Sequence, residues 1–135
     1  METTVQPHRP RTLIVDNSPI FLRCLQRLLD VQGIVQVVGT VSDGRTAIDM
    51  ALKLAPELVL MDLLMPDLDG LQTTMLLRQQ VPDSRIIIMT ATENSSLSSY
   101  CRAHGAHGFV SKHHVINTLG TEIRRIFPPR PGQQN

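Results

Sequence analysis

Residues 57–70, ELVLMDLLMPDLDG, decide the fold. Leu58 to Met61 is a short apolar run, the length of a buried strand rather than of a helix. It ends on Asp62, and Pro66, Asp67, Asp69 and Gly70 then supply the chemistry of a loop. On the upstream side, Ala47, Ile48, Ala51, Leu52 and Ala55 recur at helical spacing until Pro56 stops them. On the downstream side a helix is expected from about Leu71 to Gln80, broken by Pro82 and Asp83. Arg85 to Met89 (RIIIM) is then a second buried strand. The unit at the centre of the chain is therefore helix, strand, helix, strand, with a polar residue where each strand stops.

The same alternation continues outward. Thr12 to Asp16 (TLIVD) is the first strand. Ser18 and Pro19 read as an N-cap followed by proline at the first helical position, and Phe21, Cys24, Leu25 and Leu28 trace that helix until Gly33. Ile34 to Val41 is the second strand. Past the fourth strand, residues 92–106 are rich in serine, a poor helix former, and predict a weak, exposed helix. Phe109 to Ser111 is a short fifth strand, and Ile116, Leu119, Ile123 and Ile126 mark the apolar face of a closing helix. Five strands alternating with five helices make an α/β protein, a doubly wound parallel sheet covered on both faces. Residues 1–10 read as a flexible N-terminal arm, 11–127 as one domain, and 128–135 as a Pro/Gln-rich tail or linker stub.

Composition narrows the function. At 135 residues the chain fits one domain, and 41% hydrophobic against 19% charged residues suffices for a packed core. A net charge of +1 gives no bulk field for nucleic acid or a membrane surface, and no stretch is apolar for long enough to span a bilayer. The first residues lack the apolar centre of a signal peptide, so a cytoplasmic location is expected. Cys24 and Cys101 stand far apart, without metal-type spacing, and read as small, reduced, partly buried hydrophobes.

Ligands on parallel α/β sheets sit at the carboxyl ends of the strands. Those ends carry Asp16 and Asn17, Asp62, Thr90 and Lys112. Oxygen-bearing side chains at one spot suit a hard divalent cation, Mg2+ above all. A carboxylate beside such a metal, a hydroxyl and an ammonium is suited to phosphoryl transfer, with the carboxylate as nucleophile and an acyl phosphate as product.

These segments resemble a known family. LIVDNSP is similar to the acidic-pair strand of bacterial two-component response-regulator receivers, ELVLMDLLMPDLDG to their phospho-acceptor segment, and IIIMTA and GAHGFVSK to their Thr and Lys motifs. All four occur in the family's order and cover roughly Arg11 to Phe127. The run VVGTVSDGRTAIDMALKLAPELVLMD resembles receivers of the LuxR-type regulators, here without an output domain. The resemblance implies a flavodoxin-like sheet of order 2-1-3-4-5. It also implies that Asp62 accepts phosphate from a sensor histidine kinase or phosphotransfer protein. Asp16, Asn17, Asp62 and the backbone carbonyl of Leu64 would surround Mg2+, Lys112 would pair with the phosphoryl oxygens, and Thr90 and Phe109 would form the switch. The output would be a changed contact with an unknown downstream protein, and the resemblance also admits a homodimer. Such a chain catalyses its own phosphorylation and dephosphorylation and is not otherwise an enzyme. With no recognition helix or basic stripe, neither direct nucleic-acid binding nor a membrane role is expected.

Three positions depart from the family. Asn17 stands where Asp is usual, which removes one negative charge from the metal site. His113 follows the lysine where proline is usual. Leu64, two residues past the acceptor, offers no polar group to orient attacking water, so slow self-dephosphorylation is expected. Asn17 also keeps open a second reading, a phosphorylation-independent pseudo-receiver serving as an interaction module. Two other readings are set aside. DLDG resembles the DxDG motif of haloacid-dehalogenase-type phosphatases, but there the first Asp directly ends a strand, and here the strand ends at Asp62. Cys101, His104, His107, His113 and His114 match no familiar zinc spacing.

Overall fold

A computed structural model describes residues 8–92 and 94–129, so the expectations for 1–7 and 130–135 lie outside the described residues. In chain order the elements are β1 (Arg11–Val15), α1 (Pro19–Gln32), β2 (Gln36–Val41), α2 (Gly44–Leu54), β3 (Leu58–Asp62), α3 (Gly70–Gln80), β4 (Arg85–Thr90), α4 (Ser95–Ala103), β5 (Gly108–Ser111) and α5 (Val115–Ile126), with a 3-10 turn at Lys112–His114. The five strands form one parallel sheet of order β2-β1-β3-β4-β5. This is the flavodoxin-like order expected from the resemblance.

Alternation along the strands divides the core in two. Leu13, Val15, Val59, Met61, Ile86 and Ile88 point to one face and pack with Ala47 and Ala51 of α2, Leu77 of α3 and Cys101 of α4. Ile14, Leu58, Leu60, Ile87, Met89 and Val110 point to the other, against Leu25 and Leu29 of α1 and Leu119 and Ile123 of α5, while Cys24 of α1, expected to be partly buried, is exposed. Every residue of β3 is buried, as befits the middle strand of a sheet covered on both sides.

The helix ends are set by short polar side chains. Ser18 Oγ accepts from the Phe21 amide at 3.2 Å, with Pro19 at the first helical position, and Gly33 closes α1 in the left-handed region. Asp69 and Gln72 form a reciprocal capping box at the start of α3. Asp67 reaches sideways and accepts from the amides of Gly44 and Arg45, fastening the loop after β3 to the first turn of α2. The serine-rich helix is shorter than its 92–106 window. Asn94 caps it, Leu97 and Cys101 tie it to the core, and Gly105 with positive φ follows its end.

The second strand begins at Gln36, not at Ile34. Pairing with β1 starts where the Gln36 amide meets the Pro10 carbonyl, so Ile34 packs as a loop residue against the α1/α5 core. Residues 8–10 make contacts of their own. His8 Nε2 lies 2.7 Å from Glu57 Oε2, and the Pro10 carbonyl also accepts from Thr12 Oγ1. Among the described residues, no helix is long and apolar enough to cross a membrane.

Candidate functional site

The ladder itself assembles the polar ends of the strands. Val15 pairs with Met61, which carries Asp16 and Asp62 forward side by side, and Asp62 pairs with Met89. Thr90 and its partner Ser111 fall one step further along, and Lys112 follows directly. All five residues singled out at these ends lie at the carboxyl edge of the sheet, Asn17 being exposed next to Asp16.

Asp16 is fully buried. Its Oδ1 accepts from the Ser18 amide at 2.9 Å, while Oδ2 has no hydrogen-bond partner. The counter-charge of Oδ2 is the Lys112 ammonium, with Nζ at 2.7 Å, and the same Nζ lies 3.2 Å from Asp62 Oδ1. One cation therefore bridges two carboxylates in a pocket where all three side chains are largely out of water. Burial pushes the Asp62 carboxyl above its ordinary range and the charge of Asp16 adds to that, while Lys112 and the Leu64 amide pull it back.

Thr90 is buried, and its Oγ1 accepts from the Thr92 amide at 3.2 Å. Phe109 is half-buried against the α2/α3/α4 core and stands opposite Ile88, two residues before Thr90 and on the same face of the sheet. Leu64 is exposed. His113 lies in the 3-10 turn, where its amide donates to Ser111 Oγ. Sequence reasoning passed over two contributors. Gly70, read only as a loop residue before the helix, lies so close to Asp62 that a Cβ there would strike the Asp62 carbonyl. Phe21, read only as an apolar helix position, places its ring 4.3 Å beneath the Lys112 ammonium. Nothing in the spacing of α1 predicts that contact, because it depends on how α1 lies over the end of β5.

The oxygen donors fit a hard cation. Asp16 Oδ2 is a buried anionic oxygen met by the Lys112 ammonium rather than by an amide or hydroxyl among the described residues, and Asp62 faces the same ammonium. Among the described residues no three His, Cys, Asp or Glu side chains group to hold a metal, so a cation here would rest on two carboxylates supplemented by neutral oxygens.

A parallel 2-1-3-4-5 sheet with paired aspartates and a lysine at its carboxyl edge defines a class of signalling domain, and the comparisons name it. Residues 12–124 match the family model described as response regulator receiver domain, and the chain belongs to that family. It is 30% identical over 116 residues to the transcriptional regulatory protein MctR of Rhizobium johnstonii, covering 86% of this chain and 54% of that one. Against the response regulator GacA of Pseudomonas aeruginosa it is 30% identical over 118 residues, covering 87% and 55%. The chain thus spans about half the length of the curated relatives it matches. Among solved structures, a LuxR-family two-component response regulator from Aurantimonas superposes with a TM-score of 0.83 at 28% identity, covering 88% of this chain and 85% of that one. The response regulator domain of Thermotoga maritima CheB gives 0.75 at 26%, covering 88% and 93%.

Proposed function

We propose that residues 11–127 form a phosphorylation switch in which Asp62 accepts a phosphoryl group from the phosphohistidine of a sensor kinase or phosphotransfer protein in the cytoplasm. The observation that carries this reading is the Lys112 ammonium held between Asp16 and Asp62. In the transfer, an Asp62 carboxylate oxygen bonds to phosphorus as the P–N bond to the donor imidazole breaks, and the departing imidazole takes up a proton. Lys112 stands beside the acceptor to meet the charge on the equatorial oxygens, and the Leu64 amide donates to the same carboxylate. Asp16, Asn17, Asp62 and the Leu64 carbonyl would hold Mg2+, which when bound neutralises phosphoryl charge and orients the donor. Thr90 and Phe109, on one face and two ladder steps apart, would carry the change outward. The Thr90 hydroxyl turns toward the phosphoryl oxygens and the Phe109 ring fills the space it leaves. The surface around α4, β5 and α5 then changes its preference for a downstream protein, a second copy of this chain included.

Intact mass after incubation with Mg2+ and a small phosphodonor tests this reading. One phosphoryl adduct on the wild type, absent from Asp62→Asn and from metal-free protein, is the expected result. Asn17 favours the alternative, a pseudo-receiver that binds its partner without phosphorylation. Failure of the adduct to form, with a kinase-bearing lysate also failing, would establish that reading instead.

A further inference from the structure

Among the described residues, the Lys112 ammonium meets an aromatic face as well as the two carboxylates. That face belongs to Phe21, with the ring centroid 4.3 Å from Nζ. Phe21 does not arrive there by loose packing. The Ser18 amide donates to Asp16 Oδ1, and Ser18 Oγ accepts from the Phe21 amide, so one short chain of hydrogen bonds fixes the backbone of Phe21 to the carboxylate that Lys112 pairs with. The ring itself is half-buried against the α1/α5 core. An ammonium over an aromatic face is attracted by the ring's quadrupole, and the attraction grows as water is excluded. The Lys112 side chain is only 17% exposed.

We propose that Phe21 is a positioning residue for Lys112, its ring face holding the ammonium above the paired carboxylates. The two carboxylates cannot do this alone. Any cation or phosphoryl group that engages Asp16 or Asp62 changes their pull on the ammonium, whereas nothing that binds there changes the ring. Phe21 therefore supplies the constant contact about which Lys112 turns from Asp16 toward the group on Asp62. This inference rests on the phosphorylation reading for its consequence, but the contact itself exists without it.

The chain suits a direct test because it has two lysines, Lys53 and Lys112, and Lys53 is exposed. In metal-free protein labelled with 13C-lysine, the ε-methylene protons of Lys112 should be shifted upfield of those of Lys53 by the ring current. Phe21→Leu, which keeps apolar bulk and removes the ring, should bring the two signals together and slow formation of the adduct roughly 3- to 10-fold, the size of one cation–π contact. Phe21→Tyr should restore both the shift and the rate. An unshifted Lys112 signal in the wild type overturns the proposal. So does a Phe21→Leu protein that is phosphorylated at the wild-type rate. Should the wild type form no adduct, the phosphorylation reading fails, and the lysine spectrum alone decides the role of Phe21. If the Leu variant does not fold, the wild-type and Tyr spectra still decide it.

Discussion

A Cβ on Gly70 would collide with the backbone carbonyl oxygen of Asp62. The first turn of α3 is therefore pressed against the very peptide that bears the proposed acceptor, and the Gly70 amide donates to the Leu63 carbonyl at 2.7 Å in the same contact. With backbone rather than a flexible side chain in the way, no rotamer change relieves an added methyl. Gly70→Ala should destabilise the protein by roughly 1–3 kcal/mol, the usual range for overpacking. It should also slow adduct formation, because the loop from Asp62 to Leu64 has to move. Urea unfolding beside a phosphorylation time course checks both. An alanine variant with wild-type stability and rate would mean that α3 slides freely along β3.

Asn17 follows the buried Asp16 and is itself exposed. An amide oxygen can coordinate Mg2+ but brings no charge, and hard cations favour anionic oxygens. Asn17→Asp should bind Mg2+ more tightly, by on the order of 30-fold, from the roughly 2 kcal/mol between a carboxylate and a divalent cation about 4 Å apart in water. Titration of Mg2+ followed by NMR on both proteins, without any phosphodonor, measures this directly. Equal affinities would show that position 17 is not a ligand.

The strands and their polar ends were legible in the sequence because each signal is local. TLIVD, LVLMD and RIIIM are apolar runs of strand length, and a parallel sheet places their carboxyl ends together whatever the loops do. Asp16, Asn17, Asp62, Thr90 and Lys112 were grouped by that rule. Features that depend on how one element lies over another were not legible. The ring of Phe21 under Lys112, the missing Cβ of Gly70 against Asp62, and Asp67 capping α2 from a loop 22 or 23 residues away are all of this kind. The start of the second strand was misplaced for a related reason. Ile34 and Val35 are as apolar as a strand requires, but pairing starts only where Pro10 delivers a carbonyl to Gln36.

Leu64 lies two residues beyond the proposed acceptor with its side chain 66% exposed. An exposed aliphatic group there gives an incoming water nothing to hydrogen-bond. The adduct on the wild type should therefore decay slowly. Leu64→Asn supplies an amide at this position and should speed decay several-fold, below the roughly 10²–10⁴-fold effect of a fully positioned general base. Loss of the adduct with time, by intact mass after removal of the donor, separates the two. Rapid decay of the wild type would show that a polar side chain at position 64 is not needed to orient the attacking water.

His107 Nδ1 accepts from the Ile86 amide at 3.0 Å, while its own amide donates to the Ile86 carbonyl at 2.8 Å. The ring thus completes the β4–β5 ladder just before β5 begins, and it can do so only when Nδ1 carries no proton. Arg102 and Arg125 both donate to the His107 carbonyl, and Glu122 pairs with each of these arginines. Burial, reinforced by the charges of Arg78, Arg85 and Arg125, lowers the imidazole from 6.5 to about 4. The sign follows from which state binds the proton first. Between pH 6.5 and about 4 the unfolded chain is protonated at this histidine and the folded one is not, so stability falls as pH falls through that window and is fully present above it. Because the ring is partly solvated, the loss should be of order 1–2 kcal/mol rather than the whole shift. His107→Asn keeps an acceptor oxygen near the position of Nδ1 and cannot titrate, so it should flatten that part of the stability–pH curve while leaving stability at pH 8 within about 1 kcal/mol of wild type. Urea unfolding from pH 8 to pH 4 on both proteins measures the difference, and parallel curves would assign the acid sensitivity to other groups.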